Sequence, residues 1–175
     1  MRAADIADSV GQAIAGRRAA LQFSGGKDSL ACLYLLHPLV EQGLPVYWLS
    51  TGDTIPETRA VLDQVRTWVP DLRTVQTDVL AWKAAHGIPS DVTTAQSSWI
   101  GQAYGMSDTP LVGRMDCCVA NLMQPMHQRM LADGIEVVIR GTKLADTGQV
   151  PARGPGDAYE VLLPLLHWSH DQVFQ

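Results

Sequence analysis

Between the apolar pentapeptide Ala19–Phe23 and a second apolar stretch beginning at Leu30, the chain places Ser24-Gly25-Gly26-Lys27-Asp28-Ser29. Few folds accommodate two adjacent glycines and a lysine there. A buried strand that ends in a Gly-Gly turn and re-enters a helix can direct backbone N–H groups into one concavity, and the positive end of the helix dipole adds to it. Such a concavity suits phosphate. The hydroxyls of Ser24 and Ser29 can add hydrogen bonds, and Lys27 adds a mobile positive charge. Asp28 is the odd member, because a carboxylate beside phosphates makes chemical sense mainly with Mg2+ between them, which makes it a candidate Mg2+ ligand. The competing explanation is a tight connection whose glycines serve only the turn; the six residues together favour phosphate. Their spacing is neither Gly-x-x-x-x-Gly-Lys-[Ser/Thr] nor Gly-x-Gly-x-x-Gly.

Short β-like runs alternate with helical stretches along the rest of the chain, which predicts an α/β fold, a three-layer sandwich with a mostly parallel sheet of about five strands. The expected strands cover 19–23, 45–50, 72–78, 135–141 and 159–166. Helices are expected over 5–16, over 28–37 with Pro38 as the stop, and over 117–133 with Gly134 as the stop. Thr54 and Glu57, with Pro56 between them, predict a capping box, followed by Val61, Leu62, Val65 and Trp68 on one helical face. Ser169 caps a last helix. The stretch from 87 to 115 has only a weak period and reads as a functional or mobile connection. The pattern describes one domain over 1–175 whose last helix has barely begun at Gln175, so the domain is expected to continue beyond it.

Ligand sites of parallel sheets form along the carboxyl edge. Arg140 and Lys143, at the end of the fourth strand, are therefore candidates, with Arg153 in the glycine-rich loop beyond them. Asp53 can carry Mg2+ or cap a turn, and Arg114 and Asp116 precede a helix start. His86, His127, His167 and His170 have no metal-like spacing and read as surface or packing residues, and Trp168 as core.

Composition excludes other classes. Of 175 residues, 46% are hydrophobic and 18% charged, a globular balance rather than a disordered one. A net charge of −5 with no basic run argues against a sequence-independent grip on nucleic acid. No apolar run approaches the ~20 residues that cross a bilayer. The first residues carry Asp5 and Asp8 and lack the apolar core of a secretory signal. Three cysteines, Cys32, Cys117 and Cys118, do not make a paired disulfide framework, so a reducing cytoplasm is expected.

"SGGKDS" after a hydrophobic strand resembles the PP-loop of the adenine nucleotide α-hydrolase-like superfamily. Further segments resemble its phosphoadenosine phosphosulfate (PAPS) reductase family in the right order: "STGDTIPET" (50–58), "MDCCVANLMQPM" (115–126), "VIRGTKLAD" (138–146) and "LLPLLHWSHDQVF" (162–174). The resemblance implies an enzyme that binds an adenine nucleotide (ATP, or PAPS or adenosine phosphosulfate) through Ser24, Gly25, Gly26, Lys27, Asp28, Ser29, Thr51, Gly52, Asp53, Gly141, Lys143 and Arg153, with Lys27, Asp28 and Arg140 as catalytic residues. Retention of Lys27 and Asp28 points to ATP with Mg2+ and to cleavage at the α-phosphate, of pyrophosphatase or adenylyltransferase type. The alternatives are a sulfonucleotide reductase and a non-catalytic nucleotide-sensing subunit completed by a protein partner. Cys117 and Cys118 resemble the family's Cys-Cys helix, a possible cluster or thiol site, but four thiolates are needed for a [4Fe–4S] cluster and these residues do not supply them. A homo-oligomer is compatible with this reading.

Overall fold

The structure is a computed structural model that describes residues 3–91, 99, 103–105, 111–148 and 152–174. Parts of the 87–115 connection, residues 149–151 of the glycine-rich loop, and Gln175 lie outside the described residues. The elements in chain order are α1 (Ala3–Ile14), β1 (Ala19–Phe23), α2 (Lys27–Leu35), α3 (His37–Glu41), β2 (Val46–Ser50), α4 (Pro56–Arg66), β3 (Leu72–Gln76), α5 (Val79–His86), β4 (Ile88–Ser90), β5 (Leu111–Gly113), α6 (Arg114–Cys118), a wide π-helical turn (Val119–Met123), α7 (Gln124–Ala132), β6 (Val137–Arg140), α8 (Leu144–Thr147), β7 (Glu160–Leu162) and α9 (His170–Val173). They group into two compact units. The first comprises Met1–Leu49, Ile55–Val75 and His127–Gln175; the second comprises Ser50–Thr54 and Gln76–Met126.

A five-stranded sheet in the order β3-β2-β1-β6-β7 forms the centre of the first unit. β1 runs parallel to β2 and to β6, and β6 runs parallel to β7. This is the α/β class with a parallel sheet of five strands that the alternation of apolar runs predicts. The register pairs Leu21 with Ile139 and Gln22 with Arg140. From β1 the chain moves outward to β2 and β3, then returns to the other side of β1 for β6 and β7. The strand order therefore reverses at β1, which makes the carboxyl ends of β1 and β6 the crevice in which open parallel sheets hold ligands.

The period of two divides each strand between two faces. Ala19, Leu21, Phe23, Val46, Trp48, Val137 and Ile139 belong to a core with Ile6 and Val10 of α1, Cys32 and Leu33 of α2, Val40 of α3 and Leu62 and Val65 of α4. Each large apolar side chain buried there contributes roughly 1.5–3 kcal/mol. Ala20, Tyr47 and Val138, also buried, alternate with those residues and belong to the opposite face.

Local expectations fail where proline decides otherwise. The helix expected over 28–37 breaks at Leu36, and Pro38 lies in the first turn of α3 instead of stopping α2. Proline lacks an N–H and suits a helix start, where that donor has no partner anyway. The same preference removes the capping box of Thr54 and Glu57: Pro56 takes the first position of α4, Ile55 becomes the flanking residue, and no side chain caps the helix. Ser169 does cap α9, in a reciprocal box with Gln172. The expected helix over 117–133 begins at Arg114 and widens into the π-turn, and Gly134 follows it at φ 63°.

The second unit contains structure that the sequence pattern does not reveal. α5 is capped by Asp78, whose carboxylate accepts from the Ala81 N–H. β4 and β5 pair in parallel within the weakly periodic connection.

Candidate phosphate-binding site

The loop from Ser24 to Ser29 joins β1 to α2 at the reversal of strand order. Gly25 has φ 81°, a conformation that disfavours any side chain, and a β-carbon there would lie 2.5 Å from Cγ2 of Thr58 in α4. Both the backbone angle and the space demand glycine. Gly26 flanks α2 without any side-chain cap, so the first-turn N–H groups of that helix carry no capping acceptor. The serine hydroxyls shape the loop instead of standing open. Ser29 Oγ donates to the Gly26 carbonyl at 2.8 Å and accepts from the Ser24 N–H at 3.2 Å, and it shares a 3.0 Å bond with Ser24 Oγ. Ser24 Oγ also accepts from the Gly26 N–H at 3.4 Å. These bonds occupy the Ser24 and Gly26 N–H groups within the loop.

Charge is concentrated on Asp28. Lys27 Nζ donates to both carboxylate oxygens at 2.9 Å. Lys143 Nζ forms a second ion pair with Asp28 and a third with Asp146 at 3.0 Å. Lys143 is fully buried, whereas the Lys27 side chain is 40% exposed. Burial works to raise the Asp28 pKa, but the two lysines outweigh it and hold the carboxyl below its ordinary range. For Lys143, burial works to lower the pKa, and the hydrogen bonds it donates to Asp28 and Asp146 reverse it, so the ammonium form is favoured. Gly141 makes this approach possible: a β-carbon there would come within 2.5 Å of the Asp28 carbonyl oxygen. The expected Mg2+ ligand is thus paired with two protein ammonium groups. Asp53 is engaged as well, through Thr51 Oγ1 at 2.7 Å and Lys83 Nζ at 3.0 Å. Among the described residues no group of three or more His, Cys, Asp or Glu side chains could hold a metal.

The sequence-derived candidates separate into groups. Ser24, Gly25, Gly26, Lys27, Asp28, Ser29, Gly141 and Lys143 come together in the first unit. Arg140 belongs to the same edge, and its Nε donates to Oε1 of Gln22 at 2.7 Å across the β1–β6 register. Burial lowers the Arg140 pKa. Arg153 is exposed, with its backbone bridging Glu160, and among the described residues no hydrogen bond or ion pair joins its side chain to the loop. Thr51, Gly52 and Asp53 belong to the second unit. So do Cys117, buried, and Cys118, partly exposed, both free thiols. In the same unit Arg114 pairs with Asp91 at 3.0 Å.

Three residues at the site escaped the sequence reading. Thr58 lies in the first turn of α4, Asp146 follows Lys143 at a helical spacing of three that signals the pair, and Gln22 is a polar residue in an otherwise apolar strand.

A glycine turn with an uncapped helix start and an exposed lysine is thus set at the reversal point of the parallel sheet in an α/β domain. Residues 18–103 match the family model of the phosphoadenosine phosphosulfate reductase domain. This segment carries the loop, and over it the chain is similar to that family. Among solved structures, the chain is similar to the crystal structure of phosphoadenylyl-sulfate (PAPS) reductase from Candida auris in complex with phosphate, with a TM-score of 0.58 and 14% sequence identity over 99% of this chain and 77% of that one. At that identity the likeness is one of fold. No curated protein matches the chain. No helix among the described residues is long and apolar enough to cross a membrane.

Proposed function

We propose that the protein binds an adenine nucleotide by its phosphates at Ser24–Ser29 and cleaves ATP at the α-phosphate. The observation that carries this reading is the pairing of an exposed lysine with an uncapped helix start. Lys27 opens α2 where the first-turn N–H groups are free of side-chain caps, so one fixed dipole and one mobile charge can act on the same oligophosphate. A triphosphate has the pyrophosphate leaving group that such a charge would stabilise. Mg2+ would arrive with ATP as part of the substrate. Lys27 and the backbone donors would then neutralise charge on the phosphates while an acceptor attacks the α-phosphorus, so that positioning and electrostatics supply the acceleration. Arg140, held by Gln22 at the same sheet edge, is the candidate for the charge that develops at the reacting phosphate.

Lys27→Ala is expected to weaken ATP binding and to abolish pyrophosphate release, measured by calorimetry and a coupled pyrophosphate assay. Unchanged turnover refutes the reading.

A sulfonucleotide as substrate is the second reading, favoured by the family to which residues 18–103 match. PAPS presents the same α-phosphate in an anhydride with sulfate. Calorimetry with ATP, PAPS and adenosine phosphosulfate, each with and without Mg2+, separates the two: tightest binding of a sulfonucleotide without metal selects the second.

A further inference from the structure

We propose that Lys143 is a positioning residue that compensates Asp28 in place of a divalent cation and so frees Lys27 for the nucleotide. The proposal rests on the reading of Ser24–Ser29 as a phosphate site and deepens it.

The two lysines on Asp28 differ in what they can do. Lys143, in the β6–α8 turn, is 0% exposed and is held by a second carboxylate, Asp146. Breaking these pairs would strip the two partly exposed carboxylates of their shared counter-charge and leave the buried ammonium group without partners. Gly141, with backbone packed directly on the Asp28 carbonyl, holds this turn against the loop. Lys143 therefore stays. Lys27 sits at the surface on a flexible stem and can exchange Asp28 for another anion with little desolvation. When a phosphate group reaches the loop, Lys27 transfers to it and Asp28 remains neutralised by Lys143. Without Lys143, Asp28 would retain Lys27 and repel the incoming phosphate. His170, at the start of α9, places its Nε2 3.7 Å from Asp146.

The test is nucleotide affinity by calorimetry, with AMP and ATP as probes at zero and saturating Mg2+. Wild-type protein is expected to bind AMP equally with and without Mg2+. Lys143→Met is expected to bind AMP about tenfold more weakly without metal, a loss near 1.4 kcal/mol, and to regain part of that affinity with Mg2+, because the freed Asp28 can then take the cation. A buried lysine is risky to replace, so Asp28→Asn/Lys143→Met, which removes both charges together, keeps the test decisive if the single variant does not fold. That double variant is expected to bind AMP without Mg2+ response. Lys143→Arg, which keeps the charge, is expected to bind more tightly than Lys143→Met. An Mg2+ requirement for AMP binding in the wild-type protein overturns the proposal. So does wild-type affinity in Lys143→Met, or an Mg2+ response retained in the double variant. Failure of the wild-type protein to bind any adenine nucleotide overturns instead the phosphate-site reading beneath it.

Discussion

A β-carbon on Gly25 would lie 2.5 Å from the methyl group of Thr58, so the phosphate loop and the start of α4 are fitted to each other at the scale of one atom. Two separate penalties then meet in Gly25→Ala. A left-handed backbone angle costs a side-chain-bearing residue about 1–2 kcal/mol, and the contact adds overpacking of a similar size. Thr58→Ser removes the methyl group. The double variant Gly25→Ala/Thr58→Ser should recover the steric part of the loss in Tm and leave the conformational part. Equal Tm values for the single Gly25→Ala and the double variant would contradict the fit.

Gln22 and Arg140 form a polar pair across the β1–β6 register, and Gln22 Nε2 is buried without a hydrogen-bond partner among the described residues. Arg140→Ala leaves both ends of the amide unpaired, with an expected cost of about 1–3 kcal/mol in urea unfolding. Adding Gln22→Leu removes the stranded amide, and the double variant should be more stable than Arg140→Ala alone. A double variant that is less stable shows that Gln22 has another partner.

Acid stability should depend on Tyr47. Its hydroxyl donates to Asp133, and Arg129 Nε and Arg73 Nη1 reach the same carboxylate at 2.8 and 3.4 Å. The Tyr47 hydrogen bond is the largest influence, opposed by burial and aided by the two arginines, and the net effect holds Asp133 below the ordinary carboxylate range. A depressed folded pKa contributes stability that is present above the unfolded value of about 3.9 and is lost as pH falls from there through the folded pKa. Tyr47→Phe moves the folded pKa back toward the unfolded one. It should lower stability at neutral pH and flatten the decline below about pH 4. Urea unfolding across that range checks it, and a decline as steep as wild type contradicts it.

The cysteines should differ in reactivity. Burial pushes the Cys32 thiol up to about 12, and Cys32 is 0% exposed. Cys117 is buried as well, and Asn121 Nδ2 donates to its carbonyl at 3.1 Å. Cys118 is partly exposed. Brief iodoacetamide treatment of native protein near about pH 8 should label Cys118 first and leave Cys32 unlabelled until denaturant is added. Peptide mass spectrometry gives the order, and early labelling of Cys32 would show that the core opens.

Much of the fold was legible because period and composition are local properties. The run from Ala19 to Phe23, the glycine turn after it and the apolar face from Val61 to Val65 each follow from neighbours within a few residues, and they suffice for a strand, a loop and a helix in the right order. The same locality explains the phosphate loop, since its glycines, lysine and helix start are contiguous. Helix boundaries at Pro38 and Pro56 were less legible, because whether a proline ends one helix or opens the next depends on packing on both sides of it.

The sequence by itself determined the class of the protein and the place of its phosphate loop. Tertiary structure decided what the loop's charges do. Asp28 reads as a metal ligand when only its neighbours are considered, yet folding brings up Lys143, distant in the chain, and buries it between Asp28 and Asp146. It likewise pairs Gln22 with Arg140 and fits Gly25 to Thr58. Electrostatic and steric contacts act through space, so a carboxylate's role depends on which ammonium group the fold places beside it, and that information is absent from the residues on either side.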